Sequence, residues 1–376
     1  MRNMLFVRSR PSLAKASAFV GAAALVFAMA ACGDSSTAPA GTTGFLGGTP
    51  DNHEIGIVVN STGKALTLFQ LGSPATQQQI PLGTSSTVTP TGLSVRGKLA
   101  AVPLGNTASV ALIDLQTSTI KRYYTFASGN TTGSAFVDDT TLIVANTNLN
   151  VVGRVTTGQV ADAVTSTAAV APQPTAIAYA GGKVFVVSAN LDTNYLPIGN
   201  GIVTAIDPKT MQVLGTITMG GTNSSDVAVG PDGLLYVVNT GDYSPTTGSV
   251  TIVDPSTLKV VSTVGGMGGG PGAISIDANG LAYISEFFTG TIVWNTKTKA
   301  FVRGTDNPVC AKVASGGCRG AFAATASTTG KLYQLFFGDA TQGQAPYAFV
   351  YTAGTFALTD SVSVGVGPSA IAIRTF

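Results

Sequence analysis

The chain of 376 residues has one histidine, His53, and two glutamates, Glu54 and Glu286. With His53 alone, and at the edge of a turn-rich stretch, acid–base chemistry built on histidine has almost no support. No Gly-x-Ser-x-Gly elbow, no His-Glu-x-x-His and no phosphate loop is present. The glycine-rich run at 265–272 precedes a strand pattern, whereas phosphate cradles precede helices. Beyond the first 31 residues no apolar run is long enough to cross a membrane as a helix. Three cysteines, Cys32, Cys310 and Cys318, are too few for a zinc site that takes four ligands. These absences predict no metal and no cofactor.

The N-terminal 31 residues stand apart from the rest. Arg2, Arg8, Arg10 and Lys15 make a basic start with no acidic residue, and an apolar run at 16–28 follows. That is a targeting segment rather than part of a fold. Met29-Ala30-Ala31-Cys32 resembles a bacterial lipobox, with Met29 where that family prefers Leu. The resemblance implies cleavage before Cys32 and a lipid thioether on it; a plain secretory cut near Ala31 is the other reading. Either way the chain is exported. Gly33 after the cysteine implies the outer membrane, facing the periplasm or the cell surface. Residues 32–50 are rich in Gly, Ser, Thr, Ala and Pro and predict a flexible tether. Without its leader the chain has 16 basic and 18 acidic residues, a formal charge of −2, which argues against nucleic acid. In an oxidising compartment Cys310 and Cys318 are expected to bond across their short loop.

Residues 51–376 consist of short β-branched runs closed by Gly, Pro, Asn or Asp. The clearest unit is 224–264, four such runs in series, which predicts a four-stranded antiparallel meander. It recurs. Second strands end at Asn60, Pro103, Asn146, Ser188, Asn239, Glu286 and Phe336, at intervals of 43, 43, 42, 51, 47 and 50. Seven units near this period lie in the range of propeller blades. A small residue recurs in the first strand, at Gly92, Ala135, Ala176, Ala273, Ala321 and Ala370, with Asp226 as the exception. First strands line the axis of a propeller, where blades crowd together. Asp114, Asp207, Asp254 and Asn295 each precede a Thr by three residues and predict Asx turns between third and fourth strands. The first unit lacks a first strand and 368–376 supplies one. The fold expected is therefore all-β, a seven-bladed propeller closed by its own C-terminal strand.

Leu235-Tyr236-Val237-Val238-Asn239 and the Ala-Ile-Ala and Gly230-Pro231-Asp232-Gly233 patterns resemble the YVTN-type β-propeller repeat of bacterial surface and periplasmic proteins. The resemblance implies a ring-shaped binding scaffold and no single activity. The chain departs from streptogramin-lyase-like propellers, which depend on histidine. Loops between second and third strands should share one face with the connections between blades. That face would carry Asp192 and Tyr195 in one long loop, Asp242 and Tyr243 in another, and Glu286 followed by Phe287 and Phe288. Asp226, Glu286 and Arg319 are placed at one rim of the central channel, as ligand groups or, for Asp226 and Arg319, as a turn acceptor and its ion-pair partner. Residues 190–201 open like a calcium loop, but Tyr195 holds the Gly position and Gly201 the final Glu position.

These readings lead to a lipid-anchored, monomeric, non-catalytic scaffold that binds an envelope protein or polysaccharide. Its membrane contact would be the lipid alone. The competing reading is a propeller-type lyase or lactonase that uses Asp226 and Glu286, with or without a metal.

Overall fold

Each repeat of β-branched runs forms one antiparallel sheet, because no run is long enough for a helix and Gly, Pro or Asx residues turn the chain after each. The computed structural model describes residues 45–46, 53–313, 315–339 and 343–376. Among them are twenty-eight strands in seven four-stranded sheets, arranged as the blades of a propeller. The leader at 1–31 and Cys32 lie outside the described residues. So does most of the expected tether. Phe45 and Leu46, inside that tether, pack against the first core cluster, and the Phe45 N–H donates to Ser118 Oγ at 2.9 Å.

Blade 1 closes the ring. Its inner strand, Pro368–Thr375, pairs antiparallel with Glu54–Asn60, from Glu54 opposite Thr375 to Asn60 opposite Pro368. The innermost strands of blades 2 to 7 are Ser94–Arg96, Thr131–Phe136, Pro174–Ala180, Ser224–Val229, Pro271–Ile276 and Ala323–Ala326. The C-terminal strand thus completes blade 1 with the same four-strand order as the other six.

Blade 5 shows the layering. Leu235–Asn239 is buried throughout, whereas the outer strand Lys259–Gly265 is largely exposed. The second strands are continuous apolar runs because neighbouring blades cover both faces. Phe185 and Val187 of blade 4 share a cluster with Leu235 and Val237 of blade 5. Tyr236 and Val238 share another with Ala282 and Ile284 of blade 6. Each such side chain contributes roughly 1.5–3 kcal/mol on leaving water, so the core lies between blades rather than within them.

The repeated Asx turns form as expected. Asp114 Oδ1 accepts the N–H groups of Gln116 and Thr117, Asp207 Oδ1 those of Lys209 and Thr210, and Asn295 Oδ1 those of Lys297 and Thr298. The residue that closes each turn is left-handed without being glycine: φ is 55° at Ser118, 60° at Met211, 56° at Leu258 and 59° at Lys299. Local hydrogen bonds offset that strain.

The inner-strand register differs from the sequence alignment in two blades. Ala323, not Ala321, faces Leu335, one residue before the end of its second strand. In blade 3 a bulge between Thr131 and Ser134 puts Gly133, not Ala135, at the equivalent place. The space there is tight: a Cβ on Gly133 would lie 2.6 Å from Thr175 O and 2.9 Å from Ala176 Cα.

Candidate functional site

The inner strands enclose a central cavity of about 900 Å³. They run from the face that carries the second-to-third-strand loops and the blade connections, here called the upper face. Just inside the upper mouth, one residue per blade forms a ring: Thr91, Thr132, Thr175, Ser225, Gly272, Phe322 and Ser369, all lining the cavity. In blades 2 to 4 these hydroxyls tie blade to blade. Thr91 Oγ1 donates to Thr132 O at 2.9 Å, Thr132 Oγ1 to Pro174 O at 2.8 Å, and Thr175 Oγ1 to Ser224 O at 3.2 Å.

The girdle fails from blade 5 onward. Ser225 Oγ is a buried atom with no hydrogen-bond partner. The carbonyl it would reach by analogy, Pro271 O, accepts instead from Thr240 Oγ1 at 2.8 Å. In blade 6 the slot is Gly272, where an added Cβ would meet nothing within 4 Å. In blade 7 it is Phe322, stacked on Phe337 with ring centroids 4.6 Å apart. Phe322 also meets Phe287 edge-on at 5.2 Å, and Phe287 meets Phe288 at 5.1 Å. A line of four rings therefore runs from an upper loop into the channel mouth.

Asp226 lines the channel one residue below Ser225. Its Oδ1 accepts its neighbour's N–H, from Val227 at 2.8 Å, and its Oδ2 accepts Ile274 N–H of blade 6 at 2.9 Å. Burial pushes its carboxyl up to about 6, against the lowering effect of those two N–H groups. The side chain is enclosed by protein yet lines the channel and is partly exposed to it, so channel water moderates that push. The other charged residue of the lining is Arg374. It lies four residues further down its strand than Ala370, the counterpart of Asp226. At ~3.3 Å per residue that is about 13 Å along the axis, and blades 5 and 1 stand nearly opposite one another.

Glu286 and Arg319 lie elsewhere. Glu286 is 1% exposed. Its Oε1 accepts Gly270 N–H at 2.8 Å, and its Oε2 accepts Phe288 N–H at 2.9 Å, Thr289 N–H at 2.5 Å and Thr289 Oγ1 at 2.7 Å. It thus fixes both the loop after its strand and the connection from blade 5. Asn146 has a related role in blade 3, where its Oδ1 accepts the N–H groups of Asn130 and Leu149. Arg319 lies 4.8 Å over the Phe336 ring and donates to Gln344 Oε1. No ion pair joins Arg319 to Asp226 among the described residues. Cys310 and Cys318 are bonded, with Cα atoms 5.4 Å apart.

The long upper loops are internally held. Asp192 Oδ1 accepts Asn194 and Leu196 N–H at 2.8 and 2.9 Å, and the Leu196 contact leads in holding its carboxyl below the usual range. Asp242 Oδ1 accepts Ser244 N–H at 2.9 Å and Thr247 Oγ1 at 2.8 Å, with the same effect led by Ser244. Tyr195 and Tyr243 project from these loops, 72% and 62% exposed. Among the described residues no three His, Cys, Asp or Glu side chains come together as a metal site.

Sequence reasoning missed Phe322, Phe337, Arg374 and the hydroxyl ring. The signal for the ring was present as Thr91, Thr132, Thr175 and Ser225, but the two-residue slip in blade 7 hid Phe322 in an ordinary apolar position.

No family model matches the chain, and no curated protein matches it. Solved structures do. Hydrazine synthase of Kuenenia stuttgartiensis is similar over 77% of this chain and 90% of its own, at 14% identity and a TM-score of 0.58. A functionally unknown protein from Desulfotomaculum acetoxidans DSM 771 is similar over 85% of this chain and 98% of its own, at 16% identity and a TM-score of 0.61. The computationally designed Ika8 protein is similar over 86% and 87%, at 11% identity and a TM-score of 0.56. Identities this low carry the propeller fold and nothing about activity.

Proposed function

We propose that this chain is an exported, lipid-anchored propeller whose upper face binds an envelope protein or polysaccharide without chemical turnover. One observation carries the reading. Tyr195, Leu196, Ile198, Tyr243, Phe287 and Phe288 are all exposed, and all belong to upper loops of blades 4, 5 and 6. Single exposed apolar residues are ordinary, but a band of them on one face marks an interaction surface. Tyrosine and phenylalanine are effective anchors because they bring large contact area with few torsions to freeze. The loops are already fixed by Asp192, Asp242 and Glu286, which lowers the ordering cost of binding. The lipid anchor rests on Cys32 and its preceding residues alone.

The test is capture from a solubilised envelope fraction by the purified chain. Tyr195→Ser with Tyr243→Ser and Phe288→Ser is expected to remove the captured species while leaving the melting temperature nearly unchanged. Capture that survives all three substitutions would rule this face out. Lipidation is tested separately, by the mass of the mature N-terminus in native protein and in Cys32→Ala.

A lyase or lactonase at Asp226 is the second reading. The raised carboxyl of Asp226, inside a cavity large enough for a metabolite, favours it. Turnover of a lactone or uronate panel that disappears in Asp226→Asn would establish it.

A further inference from the structure

Inside the ring, below the upper loops, lies a pocket that the outer face does not explain. We infer that the upper mouth of the channel binds a small organic monocation: an ammonium head on a short stem. The site is made by Asp226, Ser225, Phe322 and Phe337, all of which line the same cavity.

Charge is the first argument. The lining has one carboxylate, Asp226, and one cation, Arg374, which sits about 13 Å lower at ~3.3 Å per residue and nearly across the channel. No ion pair to Asp226 exists among the described residues. Each Asp226 oxygen accepts one backbone N–H, and a carboxylate oxygen has room for a second bond. The upper mouth therefore holds one negative charge with free acceptor positions. An ammonium group would satisfy it and an anion would be repelled. Burial drives Asp226 up to about 6, as expected of a carboxylate lacking a cation, and a bound ammonium would bring it back down.

The second argument is the aromatic pair. Phe322 replaces the hydroxyl of blades 2 to 5, and it and Phe337, stacked on one another, both line the cavity. Ring faces attract cations, more strongly where water is partly excluded. Third, the mouth has room and a loose polar end. Gly272 separates the Ser225 and Phe322 positions and leaves open space where a side chain would stand. Ser225 Oγ has no partner; it is closed off from the cavity as it stands, and a change of rotamer would bring it to a hydroxyl on the ligand's stem. A neutral ligand would use the rings and the serine but would leave the carboxylate uncompensated.

The experiment is calorimetric titration of the purified full chain at neutral pH and constant ionic strength. Choline and ethanolamine are the probes, and 3,3-dimethylbutan-1-ol is the uncharged isostere of choline. At least one of the two cations should bind, and at least about tenfold more tightly than the isostere. Asp226→Asn should weaken the cation at least about tenfold and the isostere little. Phe322→Leu should weaken it roughly threefold or more. Binding should also fall below about pH 6, where Asp226 takes a proton; Arg374, the other charged group of the lining, does not titrate there. Absence of binding by both cations, or equal binding of choline and its isostere, overturns the proposal without any variant having to fold. Unchanged cation affinity in a folded Asp226→Asn protein overturns it as well. None of these outcomes depends on Tyr195, Tyr243 or Phe288, so this site and the outer face stand or fall separately.

Discussion

Glu286→Gln separates a ligand group from a structural one. Both carboxylate oxygens of Glu286 are engaged, Oε1 with Gly270 N–H and Oε2 with Phe288 N–H, Thr289 N–H and Thr289 Oγ1. Glutamine keeps the shape but has one acceptor oxygen. Its better orientation leaves that oxygen on the Phe288 and Thr289 side, with its NH₂ against the Gly270 N–H. One buried donor pair then faces itself, at about 1–3 kcal/mol, and the remaining bonds lose their charge assistance at up to about 1 kcal/mol each. A neutral side chain is cheaper to bury, which offsets part of this. The net expectation is about 2–4 kcal/mol. For the 326 residues from 51 to 376, the unfolding entropy is roughly 0.7 kcal/mol per degree, so the melting temperature should fall by about 3–6 °C. The assay is thermal unfolding followed by circular dichroism. Limited chymotrypsin digestion is the local readout, because Phe287 and Phe288 sit on the released loop and should be cut faster. A melting temperature within about one degree of native, with unchanged cleavage, would refute the reasoning and return Glu286 to the candidates for direct ligand contact.

Three further perturbations test other parts of the ring. Gly133→Ala places a Cβ 2.6 Å from the backbone of blade 4 and should cost about 1–3 kcal/mol in urea unfolding; Gly158→Ala, with nothing within 4 Å, is the control and should cost nothing. Reducing the Cys310–Cys318 bond, whose cysteines are 8 residues apart, should lower stability by about 2–3 kcal/mol, read as a melting shift in dithiothreitol that is absent from the double serine variant. Asp226 should make stability depend on pH. Its folded value of about 6 exceeds the ordinary unfolded value, so its contribution is fully present below about pH 4 and is lost as pH rises through about 6. Two units would be worth at most about 3 kcal/mol, and channel water reduces that to roughly 1–2 kcal/mol. Asp226→Asn should flatten the urea midpoint between pH 4.5 and 7 by that amount, and equal slopes in both proteins would contradict the assignment.

The ring was legible in the sequence because its determinants are local or periodic. Second strands such as Leu235–Asn239 are buried on both faces and read as unbroken apolar runs. The Asx residues at 114, 207, 254 and 295 act within four residues of themselves. Closure followed from a repeat that ends one strand out of phase. The inner strands were harder, since Thr131–Phe136 and Ala323–Ala326 are built from small residues with no strong inward–outward alternation. Register is weakly specified in such strands, and both errors of alignment fell there. Asp226 was visible as a carboxylate in a small-residue position, and the structure does put it in the channel. Glu286 stood out by the same logic, as an acid where other blades have Asn. In the fold it does the work of that Asn, with two oxygens that reach more donors. Composition could distinguish neither case, because the difference lies in which way each side chain turns.

The arc where the girdle fails, blades 5 to 7, overlaps the exposed upper loops of blades 4 to 6 at blades 5 and 6. Blades 2 to 4 keep the hydroxyl that binds the next blade. Blade 5 leaves Ser225 Oγ unpartnered, blade 6 has Gly272, and blade 7 has Phe322. Each missing bond forgoes about 0.5–1.5 kcal/mol, and a buried hydroxyl without a partner costs more. A ring serving only as a spacer gains nothing from those losses. What replaces the girdle is a carboxylate with open acceptor positions, an empty space at Gly272 and four rings leading outward from Phe337 to Phe288. Over that arc inter-blade hydrogen bonds give way to aromatic and anionic lining, the exchange expected if the channel mouth is the binding site proposed above.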